Sequence, residues 1–458
     1  MIEPSASAPA AQASANVGSW WSKLAGSRRA ALLICMLALL GFLRFGAANL
    51  VTAHPGEGDF YATLPGLYVE SVNPVLWDSP DLSASWVVHG HYYYYGPVMY
   101  LTLYPIAYLD SYRQISLVLR PVYALILLCT AWLLWRLCRA LERTGQTTLP
   151  RLGGFALVFG CVFLFSPILT AFVQREFEVV QTLMFVAGAL CVVTGWSGVA
   201  GGLVGYIVLF KYWPAGMLGY FLLRRDWKGA AAFVGSIALV LVVTNAVFGL
   251  ECWQNQSGFV KTETVFLLSP GSFCAGDAIS ATFANLHTGV CAMLIGHDGA
   301  AWAVYLGILL AMASAFVSAF IMHERRRTAL DAVDARWRKI LEFSLFTVAG
   351  CAVVHAHYYY LGLLVLPLTV LLYRYAGGAG GLNRLRLSLA ALAYLILAVS
   401  VALPSVFTRL LGHATQGASL GYGIYVYGGV LLVGLLLWEY AELAMAPPST
   451  QAVGLAAS

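Results

Sequence analysis

Apolar runs of about twenty residues recur through most of this 458-residue sequence, and each is long enough to cross the roughly 30 Å hydrocarbon core of a bilayer. They extend from Ala30 to Tyr440 and leave no stretch of useful size for a separate soluble domain. Hydrophobic residues make up 60% of the chain and charged residues only 10%, against roughly a quarter charged in soluble domains. The sequence therefore predicts an all-α polytopic membrane protein.

The two ends of the chain differ from the middle in composition. Residues 1–29 are rich in Ala, Ser and Pro and lack an apolar run, which predicts a disordered cytoplasmic tail. The first apolar run, residues 30–50, carries Arg44 and is longer than a typical signal-peptide core, so we expect a retained anchor. We expect residues 30–440 to form a single transmembrane domain and residues 441–458 to form a second cytoplasmic tail.

The basic residues lie between the apolar segments and indicate which loops face the cytoplasm, because cytoplasmic loops accumulate Lys and Arg. With both ends inside, 19 of the 26 basic residues fall in inner segments, so the net charge of +5 reflects topology and predicts no nucleic-acid partner. Two long loops, residues 51–115 and 251–300, then lie outside, and eight of the nine histidines, all but His323, fall on or near the outer side. About twelve transmembrane or half-spanning segments fit this pattern, near residues 30–50, 116–135, 152–173, 176–195, 198–210, 213–223, 229–250, 301–322, 342–354, 357–373, 387–411 and 420–438.

A break around Lys211 divides one apolar region into two pieces, residues 198–210 and 213–223, each shorter than a full span. Joining them into one helix would move Arg224 and Arg225 to the outer side, so the charge pattern favours two pieces. Non-helical backbone at membrane depth persists only where it is buried in protein or lines a wet cavity. We therefore expect an outward-facing cavity at this break.

The nine cysteines show no Cys-x-x-Cys or Cys/His spacing, so the sequence predicts no metal site. It also lacks a glycine-rich phosphate loop in a strand-to-helix context, which argues against a nucleotide cofactor. Cys252, Cys274 and Cys291 share the second outer loop. Cys274 and Cys291 could form a disulfide there, and three free thiols are the alternative.

The first outer loop carries two groups of residues with chemical potential. Asp59 follows the first membrane helix closely enough to serve as a base at the level of lipid headgroups, or it caps a short surface helix. Tyr61 lies beside it, and Tyr95 belongs to a dense run of tyrosines. Such rings could bind a sugar, although tyrosine also belongs at any membrane interface.

Charged and histidine residues mark three other outer positions. Arg175 and Glu176 lie at the outer end of the fourth segment, and Lys211 lies in the break. A cation at this depth could neutralise a phosphate, or it could pair internally with Glu176 or Glu178. At the remaining position, a short outer turn contains His355, His357 and Tyr358. Its histidines could donate hydrogen bonds to a phosphate or to an acceptor sugar, or they could bond backbone carbonyls in the core.

In this order, the motifs resemble the GT-C class of membrane glycosyltransferases. Within that class they are similar to the bacterial polyprenyl-phosphate-mannose-dependent family that includes the phosphatidylinositol-mannoside mannosyltransferases. The matching motifs, in order and across residues 30–375, are Asp59-Phe60, Tyr95-Gly96-Pro97, Lys211-Tyr212-Trp213-Pro214 and His355-Ala356-His357. One motif departs from the pattern, because Arg175-Glu176-Phe177-Glu178 stands where members often have Gly-Gln-Val-Asn. This departure leaves the donor and the acceptor open.

The resemblance implies a GT-C-type bundle of spanning and half-spanning helices, with short interfacial helices in the outer loops. It also implies transfer of a hexose, with mannose as the default, from a polyprenyl-phosphate sugar to a hydroxyl of a lipid- or glycan-linked acceptor. The reaction would proceed with inversion, without a cofactor or metal, on the periplasmic or extracellular side of a bacterial plasma membrane. The roles implied are general base for Asp59, donor-phosphate binding for Lys211, Arg175, His355 and His357, and substrate binding for Tyr61, Tyr95, Tyr358 and Glu176.

Two other functions share some of these features. Broken helices and buried charges also mark the paths of transporters, so a flippase of lipid-linked sugars is one alternative. The sequence lacks the internal repeat that transporters often carry. A membrane polymerase that joins oligosaccharide repeats is the other alternative, and it differs in adding many sugars instead of one.

Overall fold

The computed structural model describes residues 32–40, 98, 102, 112–142, 149–174, 177–210, 213–248, 286, 290–291, 294, 297–325, 330–353, 358–378, 381–399 and 414–445. These residues form helices and short connections, and no strand occurs among them. The prediction of an all-α polytopic membrane protein is therefore confirmed. The tail at residues 1–29, most of both outer loops with their expected interfacial helices, and the chain beyond residue 445 lie outside the described residues.

We number the α-helices in chain order. They are α1 (residues 32–40), α2 (Tyr112–Ala140), α3 (Arg151–Phe163), α4 (Ser166–Gln174), α5 (Glu178–Thr194), α6 (Ser197–Val208), α7 (Met217–Leu223), α8 (Trp227–Phe248), α9 (Asp298–Arg325), α10 (Ala332–Val353), α11 (Val365–Gly377), α12 (Gly381–Val399) and α13 (Ala414–Met445). Two 3-10 helices, Trp213–Gly216 and Tyr358–Leu364, immediately precede α7 and α11.

Six helical stretches of the described chain are long and apolar enough to cross a membrane. They are residues 118–140, 227–247, 298–322, 360–377, 381–398 and 425–445. Helices α3 and α4 together form a seventh candidate, bent by 60° at the break between them. Pro167 lies in the first turn of α4, where its missing N–H removes no helical hydrogen bond, so the chain can restart a helix there.

The predicted break around Lys211 separates two short helices in the structure. Helix α6 ends at Val208, the first 3-10 helix begins at Trp213, and α7 ends at Leu223. Neither α6 nor α7 is long enough to span a bilayer alone, as expected from the charge pattern. Two half-spanning pieces therefore occupy this region.

Glycines allow α6 to pack closely along α8. A methyl group on Gly201 would collide with the backbone carbonyl of Gly229, and one on Gly205 would collide with that of Phe233. Small residues are enriched at helix interfaces in membranes because they let backbones approach. The sequence thus builds a tight pair from one half-spanning and one spanning helix.

Charged side chains from several predicted inner segments lie together at one end of the bundle. Arg336 at the start of α10 donates a hydrogen bond to the carbonyl oxygen of Ala140 at the end of α2 across 2.9 Å. The Tyr373 hydroxyl near the end of α11 donates to the carboxylate of Glu142 across 2.6 Å. These contacts place the connections after α2, before α10 and after α11 on the same side of the bundle, as the charge pattern predicts.

Large apolar side chains point outward from the spanning helices. Leu125, Leu239 and Leu310 are exposed, on α2, α8 and α9 respectively. Trp196 and Trp227, which are also exposed, adjoin the end of α5 and begin α8 on the predicted inner side. Leucines facing lipid and tryptophans at the headgroup level are the distribution expected of a protein whose outer solvent is a bilayer.

Candidate functional site

The described structure does not include most of the residues predicted to form the site. Tyr358 opens the second 3-10 helix. The other predicted site residues lie outside the described residues, and they are Asp59, Tyr61, Tyr95, Arg175, Glu176, Lys211, His355 and His357. The described helices that flank three of these positions nevertheless define a common region.

Two stacked phenylalanines join the positions next to Glu176 and Lys211. Phe177 directly follows Glu176 and precedes α5, and Phe210 directly precedes Lys211 after the end of α6. Their ring centroids are 3.9 Å apart with planes inclined by 10°, and both side chains are buried. The start of α5 and the end of α6 are therefore held next to each other.

The second 3-10 helix lies beside the same region. It begins one residue after His357 and packs against α4 and α5. At Gly362, an added β-carbon would lie 3.2 Å from the side chain of Ile168 of α4 and 3.6 Å from the hydroxyl of Thr182 of α5, so the 3-10 helix approaches both helices closely. The 3-10 helix that follows His357 in the sequence is thus anchored beside the first turns of α5.

A buried polar group on α5 contains Glu178, which the sequence motifs indicated, and Gln181 and Thr182, which they did not. Glu178, Gln181 and Thr182 lie in the first two turns of α5, and all three are buried. The Thr182 hydroxyl donates to the carbonyl oxygen of Glu178 across 2.7 Å. Neither amide atom of Gln181 has a hydrogen-bond partner in the described structure. A glutamine inside an apolar run was the signal available in the sequence, because burying an unpaired amide is costly.

An apolar groove runs between α9, α10 and α13 and reaches the second 3-10 helix. Its upper part, which is the end at the 3-10 helix, is lined by Cys351 of α10, Tyr425 of α13, and Leu361 and Leu364 of the 3-10 helix. Its lower part is a cavity of about 310 Å³ whose lining side chains are apolar, and these are Leu309, Met312, Ala313, Phe316, Leu345, Phe346, Ala349, Val433 and Leu437. Met312 and Val433 line both parts, so the two parts adjoin.

The two parts together present a long apolar lining along α13. Along α13 it extends from Tyr425 to Leu437, which at a rise of about 1.5 Å per residue is roughly 18 Å. This is more than half of a hydrocarbon core of about 30 Å. Its upper end is formed by the 3-10 helix that follows the histidine turn.

Two further features bear on the chemistry and the topology of this region. No group of three potential metal ligands occurs among the described His, Cys, Asp and Glu residues. Cys291 in the second outer loop is disulfide-bonded, and its partner lies outside the described residues. Disulfides persist in oxidising compartments, so the bond agrees with a non-cytoplasmic position for this loop.

Comparison with known families gives one match. The sequence model of glycosyltransferase family 87 matches residues 93–336, which is more than half of the chain. The matched region contains Tyr95, Arg175, Glu176 and Lys211, whereas Asp59 and the histidine turn lie outside it. Searches against curated proteins and solved structures found no match.

Proposed function

Since the chain belongs to glycosyltransferase family 87, and is therefore a membrane glycosyltransferase of GT-C type, we propose that its donor is a hexose carried on a polyprenyl phosphate. The single observation that supports this donor best is the apolar groove between α9, α10 and α13. It offers a long apolar surface of the kind a polyprenyl chain needs, and it ends at the 3-10 helix that follows His357. A lipid in the groove would carry its phosphate toward the predicted phosphate-binding residues.

The phosphate of the donor meets Lys211, Arg175, His355 and His357 in this proposal. The stacking of Phe177 on Phe210 supports it, because these rings adjoin the chain positions that carry Arg175 and Lys211. As the sugar leaves, negative charge grows on the phosphate oxygen, and fixed cations or hydrogen-bond donors stabilise that charge. Because phosphate is a good leaving group, the reaction needs no metal ion.

Asp59 is the general base of the proposed reaction. The acceptor hydroxyl gives its proton to the Asp59 carboxylate while its oxygen attacks the anomeric carbon. The bond from that carbon to the phosphate oxygen breaks on the opposite face, so the configuration inverts. Tyr61, Tyr95, Tyr358 and Glu176 are proposed to line the sugar and the acceptor. A positioned base contributes on the order of 10²–10⁴-fold in rate.

We place this reaction on the non-cytoplasmic face of a bacterial plasma membrane, with both chain termini in the cytoplasm. The charge pattern and the disulfide at Cys291 support that orientation. Mannose is the donor sugar to assay first, and a phosphatidylinositol-mannoside-type lipid is the acceptor to assay first, because the motif order resembles that family.

The test is sugar transfer by the purified full-length protein in liposomes that contain polyprenyl-phosphate mannose and a lipid acceptor. We expect Asp59→Asn to abolish transfer at unchanged protein abundance. Glu57→Gln, two residues earlier in the same loop, is the matched control and should retain activity. Full activity of Asp59→Asn would remove Asp59 as the base.

The same assay separates the proposed function from its alternatives. A flippase would move the lipid-linked sugar across the bilayer without making a new glycoside, and a polymerase would make long products. Family membership favours a transferase over a flippase. A product that carries one added sugar is the expected result.

A further inference from the structure

A hydrogen bond joins the predicted first outer loop to the end of α6, close to the break around Lys211. The hydroxyl oxygens of Tyr206 on α6 and Thr102 in the loop lie 2.6 Å apart. Val98, four residues before Thr102, is completely buried in the main apolar core. These two loop residues are therefore held against the helix bundle.

The direction of the hydrogen bonds follows from the number of protons available. The Thr102 hydroxyl donates its single proton to the carbonyl oxygen of Val98, which lies one helical turn earlier at 2.8 Å. The Tyr206 hydroxyl must then be the donor in its bond to Thr102 Oγ1. One chain of hydrogen bonds thus runs from α6 through Thr102 to the backbone of the loop. Its length and direction are defined, because hydrogen bonds weaken steeply away from their preferred geometry.

The ring of Tyr206 extends the pair of stacked phenylalanines. Its centroid lies 5.3 Å from that of Phe210 with planes inclined by 62°, and Phe210 in turn stacks on Phe177. The Tyr206 side chain therefore contacts the loop with its hydroxyl and the end of α6 with its ring. One side chain thus connects the loop, the end of α6 and the start of α5.

The two segments that Tyr206 joins carry proposed site residues. Tyr95 stands three positions before Val98, and Lys211 directly follows Phe210. We propose that Tyr206 is a positioning residue for sugar transfer, because its hydroxyl fixes the segment with Tyr95 relative to the segment with Lys211. This inference rests on the proposed function, in which Tyr95 lines the substrates and Lys211 binds the donor phosphate.

The experiment is the sugar-transfer assay with purified full-length protein in liposomes. Tyr206→Phe removes the hydrogen-bond donor and keeps the ring, and Thr102→Val removes the acceptor at nearly the same size. We expect each change to lower kcat about tenfold with a nearly normal KM for the donor, the pattern of a geometry that matters in the transition state. Because both changes remove the same hydrogen bond, the double variant should lose no more than either single variant.

Two controls separate positioning from general destabilisation. Thr102→Ser keeps the hydroxyl and should keep kcat. Tyr394, half-buried like Tyr206, donates a hydrogen bond from α12 to the carbonyl oxygen of Cys161 on α3 at 3.0 Å. Tyr394→Phe removes that bond and should keep kcat per folded molecule, even where it lowers the melting temperature.

Amide hydrogen exchange gives a second readout that does not depend on the donor. In Tyr206→Phe, the peptide that contains Val98 and Thr102 should exchange roughly fivefold faster, about the effect of one lost hydrogen bond on a local opening equilibrium. Tyr394→Phe should leave the exchange of that peptide unchanged.

Several results would overturn the proposal. Normal kcat in both Tyr206→Phe and Thr102→Val would show that their contact does not position the site, and losses that multiply to about a hundredfold in the double variant would show that the two side chains act separately. A loss of kcat in Tyr394→Phe equal to that in Tyr206→Phe would show general destabilisation. Wild-type protein that transfers no sugar from the polyprenyl donor, with the exchange difference present, would instead reject the proposed function, and with it the role of Tyr206 in transfer, while the contact between α6 and the loop stands.

Discussion

The Tyr440 hydroxyl of α13 donates a hydrogen bond to the carboxylate of Glu342 on α10 across 2.6 Å. The same carboxylate contacts Arg224, which follows α7, at 2.5 Å and Arg338, one turn earlier on α10, at 2.8 Å. Glu342 is almost completely buried. Three residues earlier on α10, the burial of Lys339 lowers the pKa of its own amino group, and the positive charge of Arg224 lowers it further. One carboxylate thus connects three parts of the chain at the predicted inner end.

Removal of this carboxylate should destabilise the bundle. Glu342→Leu leaves Arg224 and Arg338 without their buried partner, and breaking one side of a buried ion pair costs about 3–5 kcal/mol. Glu324→Gln removes a second, more exposed partner of Arg338 and is the matched control, expected to cost about 1 kcal/mol or less. The measurement is thermal inactivation in detergent, and equal losses in the two variants would contradict this account.

The close packing of α6 on α8 predicts opposite outcomes for adjacent glycines. Gly201→Ala places a methyl group against the backbone of Gly229, and overpacking of this kind costs roughly 1–3 kcal/mol. A β-carbon at Gly202 meets no atom within 4 Å, so Gly202→Ala should be neutral or slightly stabilising. The melting temperatures of the two purified variants test the difference, and a similar loss in both would argue against a tight interface.

The stacked rings of Phe177 and Phe210 should influence catalysis as well as stability. Phe210→Leu loosens the chain beside Lys211, and small displacements of reactive groups lower rates on the order of tenfold or more. Phe159→Leu disrupts another stacked pair, with Phe163 at 4.2 Å, within α3. We expect both variants to lose some stability and only Phe210→Leu to lose transfer rate per folded molecule. Equal transfer rates per folded molecule in the two variants would show that the Phe177–Phe210 stack does not influence the site.

The apolar groove predicts a dependence on the chain length of the donor. Gly429 lines the groove and has open space beside it, so Gly429→Phe should obstruct the groove without a backbone collision. We expect roughly a tenfold rise in KM for a long polyprenyl donor, equivalent to about 1.4 kcal/mol of binding, and little change for a short-chain donor. Gly434→Phe, on the exposed face of the same helix, is the control. A rise in KM that does not depend on chain length would exclude the groove as the tail site.

Gln181 provides a test of function separate from stability. Its buried amide has no hydrogen-bond partner among the described residues, so Gln181→Leu should leave stability unchanged or increase it. If the amide contacts substrate, the same change should lower sugar transfer at equal protein abundance. Thr182→Val, which removes only a bond within α5, is the neighbouring control. Normal sugar transfer by Gln181→Leu would show that the Gln181 amide does not take part in the reaction.

Membrane character, the break around Lys211 and the grouping of inner segments at one end could be predicted from the sequence. The reason is that a bilayer restricts the chain to helices long enough to cross it and selects the side on which basic residues accumulate. Both constraints act on consecutive residues, so the length of an apolar run and the position of a basic cluster can be recognised in the sequence itself. The candidate base Asp59 and the histidines of the outer turn were also identified from motif order, and they remain predictions.

Only the tertiary structure determined which distant residues meet. Glu342 lies 98 positions from Tyr440 and 118 from Arg224, and the stacked rings of Phe177 and Phe210 lie on opposite sides of two helices. The apolar groove depends on three helices that the sequence marks simply as apolar. Periodicity indicates that a side chain is buried, but packing selects its neighbour, because many apolar surfaces can bury one another and only the folded bundle chooses among them.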